Sequence, residues 1–222
     1  MITKAGHYEP VAREGFVFII PPLLVSAACW WNGRPWISFF FLLLSIAVAL
    51  FFRNPDRTPP QGNGIVVSPA DGRVVQIVTA ESSPNLPGIP LQRISIFMSI
   101  FNVHVNRWPI SGTVEKILHV SGKFLDAREP EASSANEHNS IVLAGDDGTI
   151  EVVQIAGKIA RRIACWVSPA DQARQGERFG LIRFGSRLDV YLPKDFSFVV
   201  DVGTHVRAGE TIIARKTDAT SP

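Results

Sequence analysis

The chain has 222 residues, 46% of them hydrophobic, and a formal net charge of only +2, which leaves room for one compact domain beside one apolar segment. So small a positive excess, with no Lys/Arg-rich run interleaved with aromatics, argues against a nucleic-acid binder. Cys29 and Cys165 make no disulfide framework and suit a reducing compartment. His7, His104, His119, His138 and His205 are scattered, without an H-E-x-x-H or C-x-x-C spacing, so no metal site is expected.

Residues 16–31 (FVFIIPPLLVSAACWW) and 36–52 (WISFFFLLLSIAVALFF) are nearly uncharged, and N-G-R-P at 32–35 separates them with turn chemistry. Each arm of this hydrophobic helical hairpin sits at the short end of the roughly 17–25 residues that cross a bilayer, and Pro21-Pro22 would kink the first. Two spans and a re-entrant hairpin both fit. No small-residue cleavage site separates the arms from the remainder, so a removed signal peptide fits less well. Lys4 and Arg13 before the first arm and Arg53 and Arg57 after the second, against Arg34 in the turn, predict both ends on the cytoplasmic face of the cell (inner) membrane. The alternative is a buried helical hairpin of a soluble protein.

Residues 53–63 read as a linker whose prolines forbid a continuous helix and whose arginines can meet an anionic membrane surface. The expected organisation is a hairpin at 1–52, the linker, and a single domain at 64–222. That domain reads as β-rich, all-β to α+β. Short Val/Ile-rich runs at 64–68, 73–78, 92–98, 112–120, 140–144, 149–155, 180–184, 187–192 and 197–201 are broken by Gly, Pro, Asp and Asn. Residues 157–166 suit a short helix or a strand, since Ile159, Ile163 and Trp166 have helical spacing. Residues 125–137 (LDAREPEASSANE) read as a polar surface loop. V-G-T-H-V-R-A-G-E-T-I at 202–212 has the double turn of a barrel-sandwich hairpin, which carries fold information and no activity.

R-F-G-S-R-L-D-V-Y-L-P at 183–193 places Gly185-Ser186 between two predicted strands. A serine in a tight connection can attack the carbonyl before it, and glycine leaves that carbonyl unshielded. The product is an ester; elimination from it cuts the chain, and hydrolysis of the resulting dehydroalanine leaves a pyruvoyl group. Gly-Ser by itself is a common turn. Together, though, S-P-A-D-G at 68–72, S-I-F-N-V-H-V-N-R-W-P at 99–109, N-E-H-N at 136–139 and R-F-G-S-R at 183–187 resemble, in order, the phosphatidylserine decarboxylase proenzyme family in its short form.

That resemblance implies a barrel-sandwich-like catalytic domain that cleaves itself between Gly185 and Ser186 into chains 1–185 and 186–222. Its cofactor would be the covalent pyruvoyl group made from Ser186, converting phosphatidylserine to phosphatidylethanolamine and CO2 through a Schiff base. It implies an Asp71-His104-Ser186 arrangement for self-cleavage: His104 takes the serine proton, and Asp71 orients the imidazole and stabilises its charged form. Arg107, Arg183 and Arg187 are candidates for the phosphodiester or the carboxylate. The sequence departs from many members in having Arg107 where a second histidine is common, and His138 where arginine is common. A decarboxylase of another phosphoserine lipid, such as archaetidylserine, and a homo-oligomer are both compatible with the pattern. A rival of another class is a membrane-tethered, non-catalytic barrel-sandwich binding module. A carrier of that kind would present a lysine at its hairpin tip, where this chain has Val202-Gly203-Thr204.

Overall fold

A computed structural model describes residues 8–83, 85–127, 129, 131–158, 162–183 and 185–217. Lys4, residues 159–161 of the ambiguous run, and Phe184 lie outside the described residues. The chain divides into two compact units, 1–56 and 57–222.

In the first unit a 3-10 turn at Arg13–Gly15 leads into α1 (Phe16–Trp31), and α2 (Pro35–Phe51) returns. Pro35 opens α2, where its missing N–H costs nothing, and Gly33 takes the positive φ (68°) that the turn requires. α1 continues through Pro21 and Pro22. In the turn that these prolines loosen, Ser45 Oγ donates to Ile19 O at 2.9 Å. Ser26 Oγ likewise donates to Ser38 O at 2.8 Å. The hairpin is therefore built inside out: Ser26, Ser38 and Ser45 are buried between the arms, whereas Leu24, Phe40, Trp31 and Trp36 face outward, Trp31 at 89% exposure. A soluble core hairpin shows the reverse, and small polar residues between arms are the packing of helices in lipid. Arg13–Trp31 is long and apolar enough to cross a membrane; Pro35–Phe51 is shorter.

The second unit is strand-rich with a curled, half-barrel sheet. In chain order its strands are β1 (Ile65–Val67), β2 (Gly72–Ser83), β3 (Leu86–Met98), β4 (Val105–Arg107), β5 (Gly112–Val120), β6 (His138–Gly145), β7 (Gly148–Ile155), β8 (Ile163–Cys165), β9 (Gln172–Ala173), β10 (Arg178–Ile182), β11 (Ser186–Pro193), β12 (Phe196–Phe198), β13 (His205–Val206) and β14 (Ile212–Lys216). They form a large antiparallel sheet ordered β13-β2-β3-β11-β7-β6-β5-β9 and two small ones, β1-β14-β12 and β4-β10-β8. Of the ambiguous run 157–166, Ile163–Cys165 is strand and the other described residues are neither helix nor strand.

Strand alternation sorts the large sheet into two chemically different faces. Leu188 and Val190, Ile94 and Ile96, Ile150 and Val152, and Ile141 and Leu143 point inward, with Trp108 stacked on Phe179 (4.3 Å between centroids) in the same core. The outer face mixes polar side chains with an apolar cluster of Leu86, Leu91 and Val142. Glu151 accepts from Ser83 and Ser140 there, and from Asn85 Nδ2 at 2.9 Å. The described residues of 125–137, expected to be a polar surface loop, pack on this face. They include the short helix α3 (Ala132–Ala135) and bury Ala127, Ala132 and Asn136. Asn136 fixes the segment by bonding both Leu125 backbone groups and Ala156 O. The segment is polar because the surface it covers is polar.

Candidate active site

One row of cross-strand neighbours runs across the large sheet: Arg73, Phe97, Arg187, Ile155 and His138. The elements bearing Asp71, His104 and Ser186 all end at this row. Asp71 directly precedes β2, His104 lies on the connection after β3, and Ser186 is the first residue of β11, opposite Met98.

Ser186 shares the inward parity of Leu188 and Val190 and is completely buried. Among the described residues its Oγ has no hydrogen-bond partner, a costly state for a hydroxyl that serves only structure. Gly185, before it, has φ +65°, a backbone state that glycine adopts without strain.

His104 is also fully buried. Its Nδ1 lies 3.0 Å from Asn102 O, and because a carbonyl only accepts, that contact selects the Nδ1–H tautomer and leaves Nε2 as the basic nitrogen. Asn102 is held in turn, its Oδ1 accepting from Ser99 N (2.9 Å) and Ser99 Oγ (2.8 Å). Two residues on, Asn106 reaches Met98 Sδ (3.7 Å) and accepts from Gln154 Nε2 (2.8 Å); Gln154 accepts from Asn139 Nδ2 (3.1 Å). Met98 pairs with Ser186 and Gln154 with Leu188. These bonds tie the strand that follows His104 to the part of the sheet that holds Ser186 and Leu188.

Asp71 reaches the site by another route. Val67 N donates to Pro109 O (3.0 Å) and Arg107 N to Pro69 O (2.9 Å), so the segment leading to Asp71 runs beside the one that follows His104. Its carboxylate is not on the imidazole. Both oxygens are gripped by Arg57, Nη2 to Oδ2 at 2.8 Å, and Oδ1 also accepts from Ala208 N at 2.8 Å. The Arg57 side chain is 3% exposed and donates further to Ala208 O at 2.8 Å. The expected contact with headgroups thus gives way, for Arg57, to a buried bidentate ion pair.

The three arginines named for substrate separate clearly. Arg187 points to the outer face, opposite Ser186, where Nε and Nη2 hold Asp189 (2.7 and 2.9 Å), Nη2 also meets Ser133 Oγ, and Nη1 donates to Glu129 O (3.3 Å). Arg107 is 3% exposed and donates to Gly176 O at 2.8 Å. Both are committed to internal partners, so a headgroup role would require those bonds to be exchanged. Arg183 is half-buried on the β10–β11 connection that carries Gly185. His138 shares the outward parity of Val142, away from Ser186, with Nδ1 2.8 Å from Asn136 O. Among the described residues no cluster of His, Cys, Asp and Glu suits a metal ion.

Sequence reasoning missed Asn102, Arg57 and the Asn106–Gln154–Asn139 amide chain. Arg57 and the amide chain have no local signature, because each acts on a group brought to it by the fold; Asn102 does act locally, on Ser99 and His104, and lies within the segment 99–109. Among the described residues, Ser186 thus offers a buried hydroxyl without a hydrogen bond after a left-handed glycine, and His104 a buried imidazole with Nδ1 on a backbone carbonyl. A family model described as phosphatidylserine decarboxylase matches residues 44–214. The chain belongs to the phosphatidylserine decarboxylase family and is a decarboxylase.

Proposed function

We propose that this decarboxylase makes its own cofactor by cleaving between Gly185 and Ser186, and acts on phosphatidylserine at a membrane surface. The observation that carries the reading is the completely buried Ser186 Oγ, without a hydrogen-bond partner among the described residues and directly after Gly185. His104 Nε2 takes the hydroxyl proton as Oγ adds to the Gly185 carbonyl carbon. The C–N bond then breaks, the Ser186 nitrogen takes up a proton, and an ester joins Gly185 to Oγ. Loss of the Ser186 α-proton expels the Gly185 carboxylate and leaves dehydroalanine. Water hydrolyses its imine tautomer, releasing ammonia and leaving a pyruvoyl group at residue 186. When present, that ketone supplies a covalent electron sink for loss of CO2 from an amine-bearing substrate.

The chain's own residues do the remainder. The Asn102 carbonyl, not Asp71, fixes the His104 tautomer. Asp71, held by Arg57, contributes through its charge. Arg183, half-buried on the connection leading to Gly185, is our candidate for the lipid's anionic groups. The inside-out hairpin holds the enzyme at the bilayer and so raises the effective concentration of lipid. Arg13 and Arg53 at its ends, against Arg34 in its turn, favour a cytoplasmic catalytic unit.

Intact mass spectrometry of the wild-type protein beside Ser186→Ala tests this. The expected result is two chains, 1–185 and 186–222, the smaller with a ketone in place of its serine amine, and a single uncut variant. A single full-length wild-type chain under reducing conditions in detergent at neutral pH would sink the self-processing reading.

A further inference from the structure

Continuing the β11–β7 register past Arg187↔Ile155 places Gly185 opposite Gly157. The approach there is extremely close. A Cβ on Gly157 would lie 1.9 Å from Gly185 O and 3.0 Å from its carbonyl carbon, with Ala127 Cβ 3.4 Å away on another side. The Gly185 carbonyl, the bond the proposed self-cleavage must attack, therefore points oxygen-first into space that exists only because residue 157 has no side chain. Gly185 itself has open space around its own Cβ position and needs glycine for its φ of +65°. The two glycines thus do different things: Gly185 sets the direction of the carbonyl, and Gly157 makes room for it.

We infer that Gly157 is a positioning residue for self-cleavage, holding the Gly185 carbonyl where Ser186 Oγ can reach it; this rests on the self-processing reading above. Contact between an oxygen and a methyl carbon needs roughly 3.2 Å, so a side chain at 157 forces a displacement of about 1 Å. A misplacement of that size costs on the order of a hundredfold in rate. Once the chain is cut, Gly185 is a free carboxylate terminus, so the demand on residue 157 applies to maturation.

The test follows the appearance of fragment 186–222 by mass spectrometry after cell-free synthesis into detergent, for wild type, Gly157→Ala and Gly112→Ala. Gly112 is the control because its added Cβ would meet Ala144 O at 2.2 Å, an equally severe clash at the far end of the sheet. Melting of each variant in a Ser186→Ala background gives the folded fraction. At equal folded fraction, Gly157→Ala is expected to mature about a hundredfold more slowly than wild type and Gly112→Ala within a few-fold of it. Hydroxylamine, which cuts esters, should release no fragment from Gly157→Ala, because the block precedes ester formation. If Gly157→Ala does not fold, Ala127→Gly/Gly157→Ala, which removes the 3.4 Å contact with Ala127 Cβ and leaves the clash with Gly185 O, carries the same comparison. Maturation within threefold of wild type, or slowing no greater than that of Gly112→Ala, overturns the inference. A wild-type chain that never cleaves removes the self-processing reading itself.

Discussion

Arg187 lies next to the proposed nucleophile in sequence yet on the other face of the sheet, and replacing it distinguishes a structural arginine from a substrate-binding one. In Ser186→Ala protein, which stays uncut, Arg187→Met removes the guanidinium whose Nε and Nη2 hold Asp189 at 2.7 and 2.9 Å, with side chains 1% and 0% exposed. Arg93 Nη1 at 3.1 Å is then the cation left on Asp189 Oδ2. Removing one partner of a buried pair costs about 3–5 kcal/mol when the other charge is left unpaired; Arg93 and Ser133 still bond Asp189, so the low end, about 3 kcal/mol, applies. At roughly 2–4 °C per kcal/mol for a unit of this size, the melting temperature should fall by about 6–12 °C. A variant that melts within about 1 kcal/mol of its parent, while the same substitution in active enzyme raises KM for the lipid, would refute the assignment.

Arg57→Gln should destabilise the unit by about 3 kcal/mol, the low end of the same range, because Asp71 keeps the Ala208 N–H and a 12% exposed side chain; urea unfolding in the uncut background measures it. Gln154→Leu leaves Asn106 Oδ1 and Asn139 Nδ2 buried without their partner, at about 1–3 kcal/mol each. It should also slow appearance of fragment 186–222 at equal folded fraction, because the amide chain orients the strand next to His104.

The hairpin was legible in the sequence because its arms lack charge and its turn is N-G-R-P; α1 and α2 fall within a residue of the expected arms. β5 was legible too, at Gly112–Val120. β2 and β3 run further than expected, to Ser83 and from Leu86, because their outer ends carry Pro, Gly and Ser that read as turns. The facing of Arg187 could not be read. β11 is buried on both sides from Ser186 to Val190, so no polar/apolar alternation tells which face is the core. The partnership of Arg57 with Asp71 was hidden for a different reason: an arginine in a proline-flanked linker looks solvated until the chain folds back on itself. Residues 125–137 misled in the opposite sense, since polar composition signals a polar neighbour and not necessarily water.

The position of the proposed cut within the topology explains how a severed enzyme could keep its site. β11 is an interior strand, paired with β3 from Ser186 to Pro193 and with β7 from Arg187 to Tyr191. Downstream of it, β12 and β14 build the small sheet with β1, and β13 borders β2. Breaking the peptide before Ser186 removes one covalent bond and none of these ladders. Leu188, Val190, Leu192, Phe196, Val206 and Ile213 all belong to the main core, each worth roughly 1.5–3 kcal/mol of burial. Fragment 186–222 is thereby held by on the order of 10 kcal/mol of apolar burial before any hydrogen bond is counted. Residue 186 would become a chain terminus without leaving its place beside Met98. A serine at the exposed tip of a hairpin could be cut as readily, but its new terminus would swing free; the first residue of a central strand yields a reactive end that stays fixed.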